Sequence, residues 1–237
     1  MKISEVNCTV IVPAAGKGKR FGNTLPKQFL ELNKIPVIIR TLMIFEKMDE
    51  IKNVVIAIDT SYQKLLQDYI KQFNILKKIT IIKGGKERQD SIFNALKTEA
   101  VKNADIILVH DAVRPFVSHN LCKKIIVAVQ KHSAAIPGIV PKDTIKRINS
   151  KGFAVETPTR NMLRNIQTPQ GFKKDIFLEI YRLMESNKMF VTDDASLAEQ
   201  LGFKVKIVEG EEQNIKITSE IDLLLADSIL KKTENIK

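Results

Sequence analysis

Two close glycines and four cations stand where the first apolar run of the chain ends. Ala14-Ala15-Gly16-Lys17-Gly18-Lys19-Arg20 follows Val6–Val12, and Lys27 lies seven positions past Arg20. Gly16 and Gly18 let the backbone turn tightly and bring amide N–H groups up to a polyanion, because no Cβ obstructs them. Lys17, Lys19, Arg20 and Lys27 add positive charge in the same neighbourhood. The chemistry this suits is binding a triphosphate and stabilising charge on a phosphorus under attack. The spacing is not GxxxxGK[ST], which excludes a Walker P-loop, and it fits a GxGxxG dinucleotide fingerprint poorly.

The elements around the loop must hold it at a sheet edge. Val6–Val12 is almost purely apolar, as a strand buried on both faces must be. A helix is predicted over Pro36–Lys47, a second strand over Asn53–Ile58, and an amphipathic helix over Ser61–Lys71 capped by Ser61. A short strand Thr80–Ile82 leads to Gly84-Gly85, a helix to Glu87–Glu99, and strand Ile106–Val109 to His110-Asp111. Ser118 caps a helix through about Lys131, and Ala134–Val140 is apolar again. This alternation predicts an α/β fold with a doubly wound, mostly parallel, Rossmann-like sheet. Ligands in such sheets sit beyond the carboxyl ends of the strands. The glycine loop, GGKERQDS (Gly84–Ser91) and HDAVRP (His110–Pro115) all fall on that edge.

The alternation breaks between about Pro141 and Gln170. Asp143–Ile148 and Gly152–Pro158 flank Asn149-Ser150-Lys151-Gly152, a hairpin-type turn. A hairpin inserted in an α/β domain has little core of its own, so the sequence predicts an arm over about 141–165 that lies on a partner. Beyond it, helices are predicted over Lys173–Ser186 and Asp194–Leu201 and a strand over Lys204–Glu209. An extended Ile215–Thr218 precedes a last helix opened by Ser219 and Asp222. No repeat or linker interrupts the chain, which reads as one domain, 1–237, plus the arm.

With 237 residues, 44% of them hydrophobic, the chain can bury a sizeable core. No apolar run is long enough to span a membrane. Two cysteines, Cys8 and Cys122, with no CxxC, argue against a disulfide framework or a zinc site and point to the cytosol. The net charge of +11 comes from 30 Lys and 8 Arg scattered on polar helix faces, as on a solvated surface. Aromatics are only 6% and no basic stripe interleaves with them, which argues against a nucleic-acid-binding module. The three histidines have no metal-ligand spacing. His110 reads as a neutral ring bonded to backbone, and His119 and His132 as helix surface residues.

VPAAGKGKRFGNTLPKQFLEL resembles the signature of nucleotidyltransferases whose glycine-rich loop is followed by Pro-Lys. Within them the chain is most similar to the 2-C-methyl-D-erythritol 4-phosphate cytidylyltransferases. GGKERQDSI, VHDAVRPF, PKDTIKR, TPTRNML, QTPQGF, TDDASLAE and VEGEEQNIKIT look like that family's blocks, in that family's order. The nearest rival, a ribitol-5-phosphate cytidylyltransferase, shares the loop and the TPQ and NIKIT blocks. TDDAS and HDAVRP resemble the methylerythritol family better.

The resemblance implies transfer of CMP from CTP to methylerythritol phosphate, with Mg2+ and a homodimer. It implies that Arg20 and Lys27 stabilise the transition state and that Ala14, Ala15, Gly16 and Gly18 cradle CTP. Gly85 and Ser91 look like cytosine-side contacts, and Lys86 stands where the family is often acidic. Arg88 reads as a cation ordering this loop. Asp111 is expected on the ribose, the metal or the polyol, and Arg114 on a phosphate or polyol. Thr144 and Arg160 belong to the arm, which the family lays across the dimer. Thr168 and Lys216 are implied to complete the pocket for the polyol phosphate. Mg2+ is expected to be held mainly by the CTP phosphates. No Asp-x-His occurs, so the metal-binding cyclase to which some members are fused is not expected.

Overall fold

The computed structural model describes residues 6–16, 25–187 and 193–234. In chain order, β1 (Cys8–Pro13) is followed by a one-turn 3-10 helix at Lys27–Phe29. A small ribbon, β2 (Glu31–Leu32) and β3 (Ile35–Pro36), leads into α1 (Val37–Glu46). Next come β4 (Ile51–Ile58), α2 (Gln63–Gln72), β5 (Lys78–Lys83), α3 (Arg88–Leu96), α4 (Glu99–Lys102) and β6 (Ile106–Val109). α5 (His119–His132) and β7 (Ala134–Ile139) precede a two-stranded arm, β8 (Arg147–Ile148) and β9 (Ala154–Glu156). β10 (Asn165–Ile166), β11 (Gln170–Lys173), α6 (Lys174–Asn187), α7 (Asp194–Gln200), β12 (Lys206–Glu209) and α8 (Glu220–Glu234) complete the chain.

β6, β1, β4 and β5 lie side by side and parallel, as the buried apolar runs predict. Period-two alternation sorts their side chains between two cores. Val10, Val12, Val54, Ile56 and Leu108 face α1, α2 and α5. Ile11, Val55, Ile107 and Val109 face α3, α6 and α7. Helices therefore cover both faces, and the doubly wound, mostly parallel sheet expected from the sequence is present.

Two antiparallel strands depart from it: β10, against β7, and β11. β11 runs antiparallel between β6 and β7, where the sequence reading places no element; the helix predicted from Lys173 follows it as α6. The signal was masked because Gln170-Gly171-Phe172-Lys173 is short and carries a glycine. That glycine lets α5 approach: a Cβ on Gly171 would stand 2.7 Å from Ile125 Cγ2 and 2.8 Å from Val129 Cγ2.

Other departures have local causes. The helix predicted over Glu87–Glu99 breaks in two, because Thr98 is extended and its hydroxyl donates to the Ala95 carbonyl at 2.7 Å. Asp59, not Ser61, caps the turn before α2, accepting from Ser61 N at 3.0 Å. Ser118 caps α5 by accepting from Leu121 N at 3.0 Å. Asp222 accepts from the backbone N–H of Ser219 at 2.8 Å at the head of α8. Ile215–Thr218 joins no strand; its backbone is tied to the loop after β6 by Ile217 N, which donates to the Val113 carbonyl at 3.0 Å, and to α8 by Thr218 N, which donates to Asp222 Oδ2 at 2.7 Å. His119 is partly buried, with Nε2 3.0 Å from the Ile44 carbonyl.

β10 and β11 pair with different halves of β7, and the chain leaves the ladder between them at a cis Thr168-Pro169 bond. There the Thr168 hydroxyl oxygen accepts from Asp111 N at 3.1 Å and lies 3.0 Å from His110 Nδ1. The other ring nitrogen, Nε2, is 3.1 Å from the Arg114 carbonyl, which can only accept. The network therefore assigns the proton to Nε2, and Thr168 donates to Nδ1. His110 is fully buried, and desolvation pushes its pKa down to about 4, as a neutral ring bonded to backbone requires.

Two outcomes follow from this packing. Gly171→Val should destabilise the fold by about 1–3 kcal/mol through overpacking against α5, read as a lowered denaturation midpoint with an unchanged m-value. Between about pH 6.5 and the folded-state value near 4, the unfolded chain holds a proton on His110 that the folded chain lacks. Stability therefore falls as pH drops through that window, by up to about 3 kcal/mol. Denaturant titrations at pH 7 and 4.5 should show the loss, and His110→Asn should shrink it.

Candidate active site

The loops after β1, β5 and β6 meet in a cleft of about 250 Å3 at the carboxyl edge of the sheet. Ala14, Ala15 and Gly16 form one wall with Lys27; Gly85, Lys86, Arg88 and Ser91 form the second; Asp111 and Lys216 form the floor and rim. Three segments far apart in sequence thus converge where the strand pattern places them. Gly18 and Arg20, with Lys17 and Lys19, lie outside the described residues.

Gln28, which sequence reasoning passed over, orders the glycine loop. It is buried, and its amide donates to the carbonyls of Ala14 at 2.6 Å and Gly16 at 3.4 Å. Holding those carbonyls turns the intervening peptide units and fixes the direction of their N–H groups. The Pro-Lys-Gln spacing is the signal that could have found it. On the facing loop, a Cβ on Gly84 would sit 2.3 Å from the Ala15 Cβ, so the Gly84 backbone lies against the Ala15 methyl group. Ser91 Oγ accepts from Gly85 N at 3.0 Å and donates to the Glu87 carbonyl at 3.2 Å. Its one hydrogen is used inside the loop, and only an acceptor remains for a ligand.

Asp111 is the electrostatic centre. Oδ2 lies 3.0 Å from Lys216 Nζ and 3.3 Å from Arg114 Nε. Burial opposes its ionisation, but Lys216, Arg88 and Arg114 outweigh it and hold the carboxyl far below the usual range. Arg88 Nη2 in turn lies 2.7 Å from Asp194 Oδ2, and the Tyr181 hydroxyl donates to Asp194 Oδ1 at 2.6 Å. Arg88 is thus paired with α7, which supports its reading as an ordering cation.

Arg114 and Thr168 are buried behind this centre rather than lining the cleft. Arg114 Nη1 donates to the Asn214 carbonyl at 2.7 Å, and Asn214 Nδ2 donates to the Thr168 carbonyl at 2.9 Å. These bonds join the HDAVRP, TPQ and NIKIT segments into one unit. Thr144 and Arg160 stay apart from it: both are exposed on the arm, and Arg160 Nη1 donates to the Lys142 carbonyl at 3.0 Å. Among the described residues no cluster of three or more His, Cys, Asp or Glu could hold a metal, and no helix is long and apolar enough to cross a membrane. Cys8 and Cys122 are buried free thiols.

Geometry of this kind serves transfer between two phosphorylated partners, and the relatives of the chain agree. The profile of one family, described as IspD: 2-C-methyl-D-erythritol 4-phosphate cytidylyltransferase, matches residues 8–232. A 2-C-methyl-D-erythritol 4-phosphate cytidylyltransferase of Bacillus mycoides (strain KBAB4) is 41% identical over 222 residues, 94% of this chain and 97% of that one. One of Clostridium botulinum (strain ATCC 19397 / Type A) is 41% identical over 224 residues, 94% and 97% of the two chains. The crystal structure of 4-diphosphocytidyl-2C-methyl-D-erythritol synthase from Anaerococcus prevotii DSM 20548 superposes with a TM-score of 0.85. It is 31% identical, and the match covers 96% of this chain and 100% of that one. A match that takes in all three loops of the cleft and nearly the whole length of its relatives places the chain in the 2-C-methyl-D-erythritol 4-phosphate cytidylyltransferase family.

Proposed function

We propose that the cleft joins CTP to 2-C-methyl-D-erythritol 4-phosphate, releasing pyrophosphate and forming CDP-methylerythritol. The observation that carries the assignment of residues is the convergence of Ala14–Gly16, Lys27, Gly85, Ser91, Asp111 and Lys216 on one cleft. The 4-phosphate oxygen attacks the α-phosphorus in line with the leaving pyrophosphate. Both reactants are anions, so fixed cations must cancel their repulsion before positioning can work. The nucleophile is already ionised near neutral pH, and no general base is required.

Each residue then has a part. The backbone of Ala14, Ala15 and Gly16, with Gly18, cradles the triphosphate; the Ala14 N–H is spent on the Ala57 carbonyl at 2.7 Å, so the amides of Ala15 and Gly16, aimed by Gln28, face the anion. Lys27 and Arg20 stabilise the charge that gathers on the equatorial oxygens of the α-phosphorus. Gly85 and the acceptor lone pair of Ser91 meet the cytosine edge. Asp111 and Lys216 position the ribose and the polyol phosphate, and Arg114 and Thr168 act through Asp111 by fixing it. Mg2+ would ride mainly on the CTP phosphates, with Asp111 as the carboxylate this chain can add; a cation bound by one carboxylate and substrate phosphates suits its habit. When bound, it neutralises phosphate charge.

The chain reads as a single nucleotidyltransferase domain over 1–237, acting in the cytoplasm, with the arm at about 141–165 mediating a homodimer. Thr144 and Arg160, exposed and away from their own cleft, are then available to the site of the neighbour. Arg160 can grip the polyol phosphate there.

Pyrophosphate release with CTP and methylerythritol phosphate, against ATP, UTP and ribitol phosphate controls, tests the reaction. Preference for ribitol phosphate would overturn the substrate. Lys27→Ala should cut kcat by about 100-fold or more with a modest change in the KM for CTP. A raised KM at normal kcat would remove Lys27 from the transition state. Mixing Arg160→Ala with Lys27→Ala chains should restore activity that neither has alone, since one site of each mixed dimer regains both residues. Verified mixed dimers without activity would place Arg160 outside the neighbour's site.

A further inference from the structure

Two buried carboxylates, Asp111 and Asp194, hold cations at the cleft, and the second stands behind its wall rather than on it. Asp194 is 1% exposed at the head of α7, with Oδ2 2.7 Å from Arg88 Nη2 and Oδ1 accepting from the Tyr181 hydroxyl at 2.6 Å. Capping α7 does not need its side chain. Asp193 accepts from Ser196 N at 2.8 Å, and Gln170 clamps the same turn, accepting from Ala195 N at 3.1 Å and donating to Asp193 Oδ2 at 2.7 Å. Gln170 comes just after the Thr168-Pro169 turn whose hydroxyl accepts from Asp111 N. The scaffold thus fixes where Asp194 stands, and its carboxylate is left to hold Arg88.

Arg88 and Asp111 line one cleft of about 250 Å3, and each feels the charge of the other. A guanidinium held largely out of water and deprived of its carboxylate is drawn to another that is also shielded. Glu87 lines the cleft too, but it is exposed, and solvent and salt screen it. Asp111 already has Lys216 Nζ at 3.0 Å and Arg114 Nε at 3.3 Å on one oxygen. An arginine fork spans both oxygens of a carboxylate, which an ammonium cannot match. Arg114 is buried and anchored to the Asn214 carbonyl, whereas the side chain of Lys216 is 43% exposed on a flexible stem. Lys216 is therefore the cation that an incoming Arg88 displaces.

We infer that Asp194 is a positioning residue that divides the cations of the cleft: it keeps Arg88 on the wall beside Gly85 and Ser91 and so leaves Asp111 to Lys216. The inference deepens the proposed function and rests on its reading of Lys216 as a contact of the polyol phosphate. A side chain outside the cleft then governs affinity for the second substrate while touching neither substrate.

Asp194→Asn keeps the size of the side chain and an acceptor for Tyr181 while removing the charge. Two readouts test it: trace acetylation of Lys216 followed by peptide mass spectrometry, and steady-state kinetics for both substrates. Released from Asp111, the Lys216 amine is more open to acetic anhydride and should label severalfold faster. The KM for methylerythritol phosphate should rise by about tenfold, with kcat changed by less than about threefold. Adding Arg88→Met should bring both readouts back, because no guanidinium is left to take Asp111. A pair that only braced the fold would change the melting temperature and leave Lys216 labelling where it was. Unchanged labelling in Asp194→Asn would overturn the proposal, as would faster labelling that persists when Arg88→Met is added. Faster labelling with an unchanged KM for methylerythritol phosphate would uphold the division of cations and remove Lys216 from the polyol-phosphate site. Where Asp194→Asn does not fold, Asp194→Ser, which admits water beside Arg88, is judged by the same outcomes.

Discussion

A carboxylate held ionised inside the protein governs the layout of the cleft. Asp111 sits at the end of β6 with Lys216 and Arg114 against the same oxygen. A buried charge survives only when it is paired, and here the partners come from separate segments of the chain. Arg114 reaches on to Asn214, and Asn214 to Thr168. Keeping this one group charged therefore fixes how the loop after β6, the turn between β10 and β11, and the strand-like Ile215–Thr218 sit against one another.

The glycine loop follows a different logic. Its working groups are backbone amides, which carry no sequence signature beyond the glycines themselves. Their direction is set from behind by Gln28, whose side chain replaces the ladder partners that the loop lacks. One half of the cleft is thus built from side-chain charge and the other from oriented peptide units. The two halves suit the two substrates of a nucleotidyl transfer, one bringing a triphosphate and the other a phosphorylated alcohol.

Much of this was legible in the residues. Apolar runs at β1, β4 and β6 could only be strands covered on both sides, and their carboxyl ends named the cleft before any coordinate did. β11 was not legible, because four residues around Gly171 show neither alternation nor β-branching; its place is set by tertiary contact with α5. Arg114 was read as a substrate contact because its charge is visible in sequence, whereas its burial against Asn214, a hundred positions away, is not. Gln28 was passed over for the converse reason: an amide looks inert until the carbonyls it meets are known. Thr144 and Arg160 are exposed and do not line the cleft of their own chain, a distance that neighbouring residues in sequence do not reveal.

The contact between Gly84 and Ala15 has a mechanical consequence. With no room for a methyl group on Gly84 beside that of Ala15, the loops that follow β1 and β5 abut, and neither can close further on the other. The mouth of the cleft then resembles a vice with one fixed jaw. Any adjustment to incoming molecules of different girth falls to the opposite side, and there to the half-exposed side chain of Lys216 rather than to its segment, which is tied to the loop after β6 at Asn214, Lys216 and Ile217.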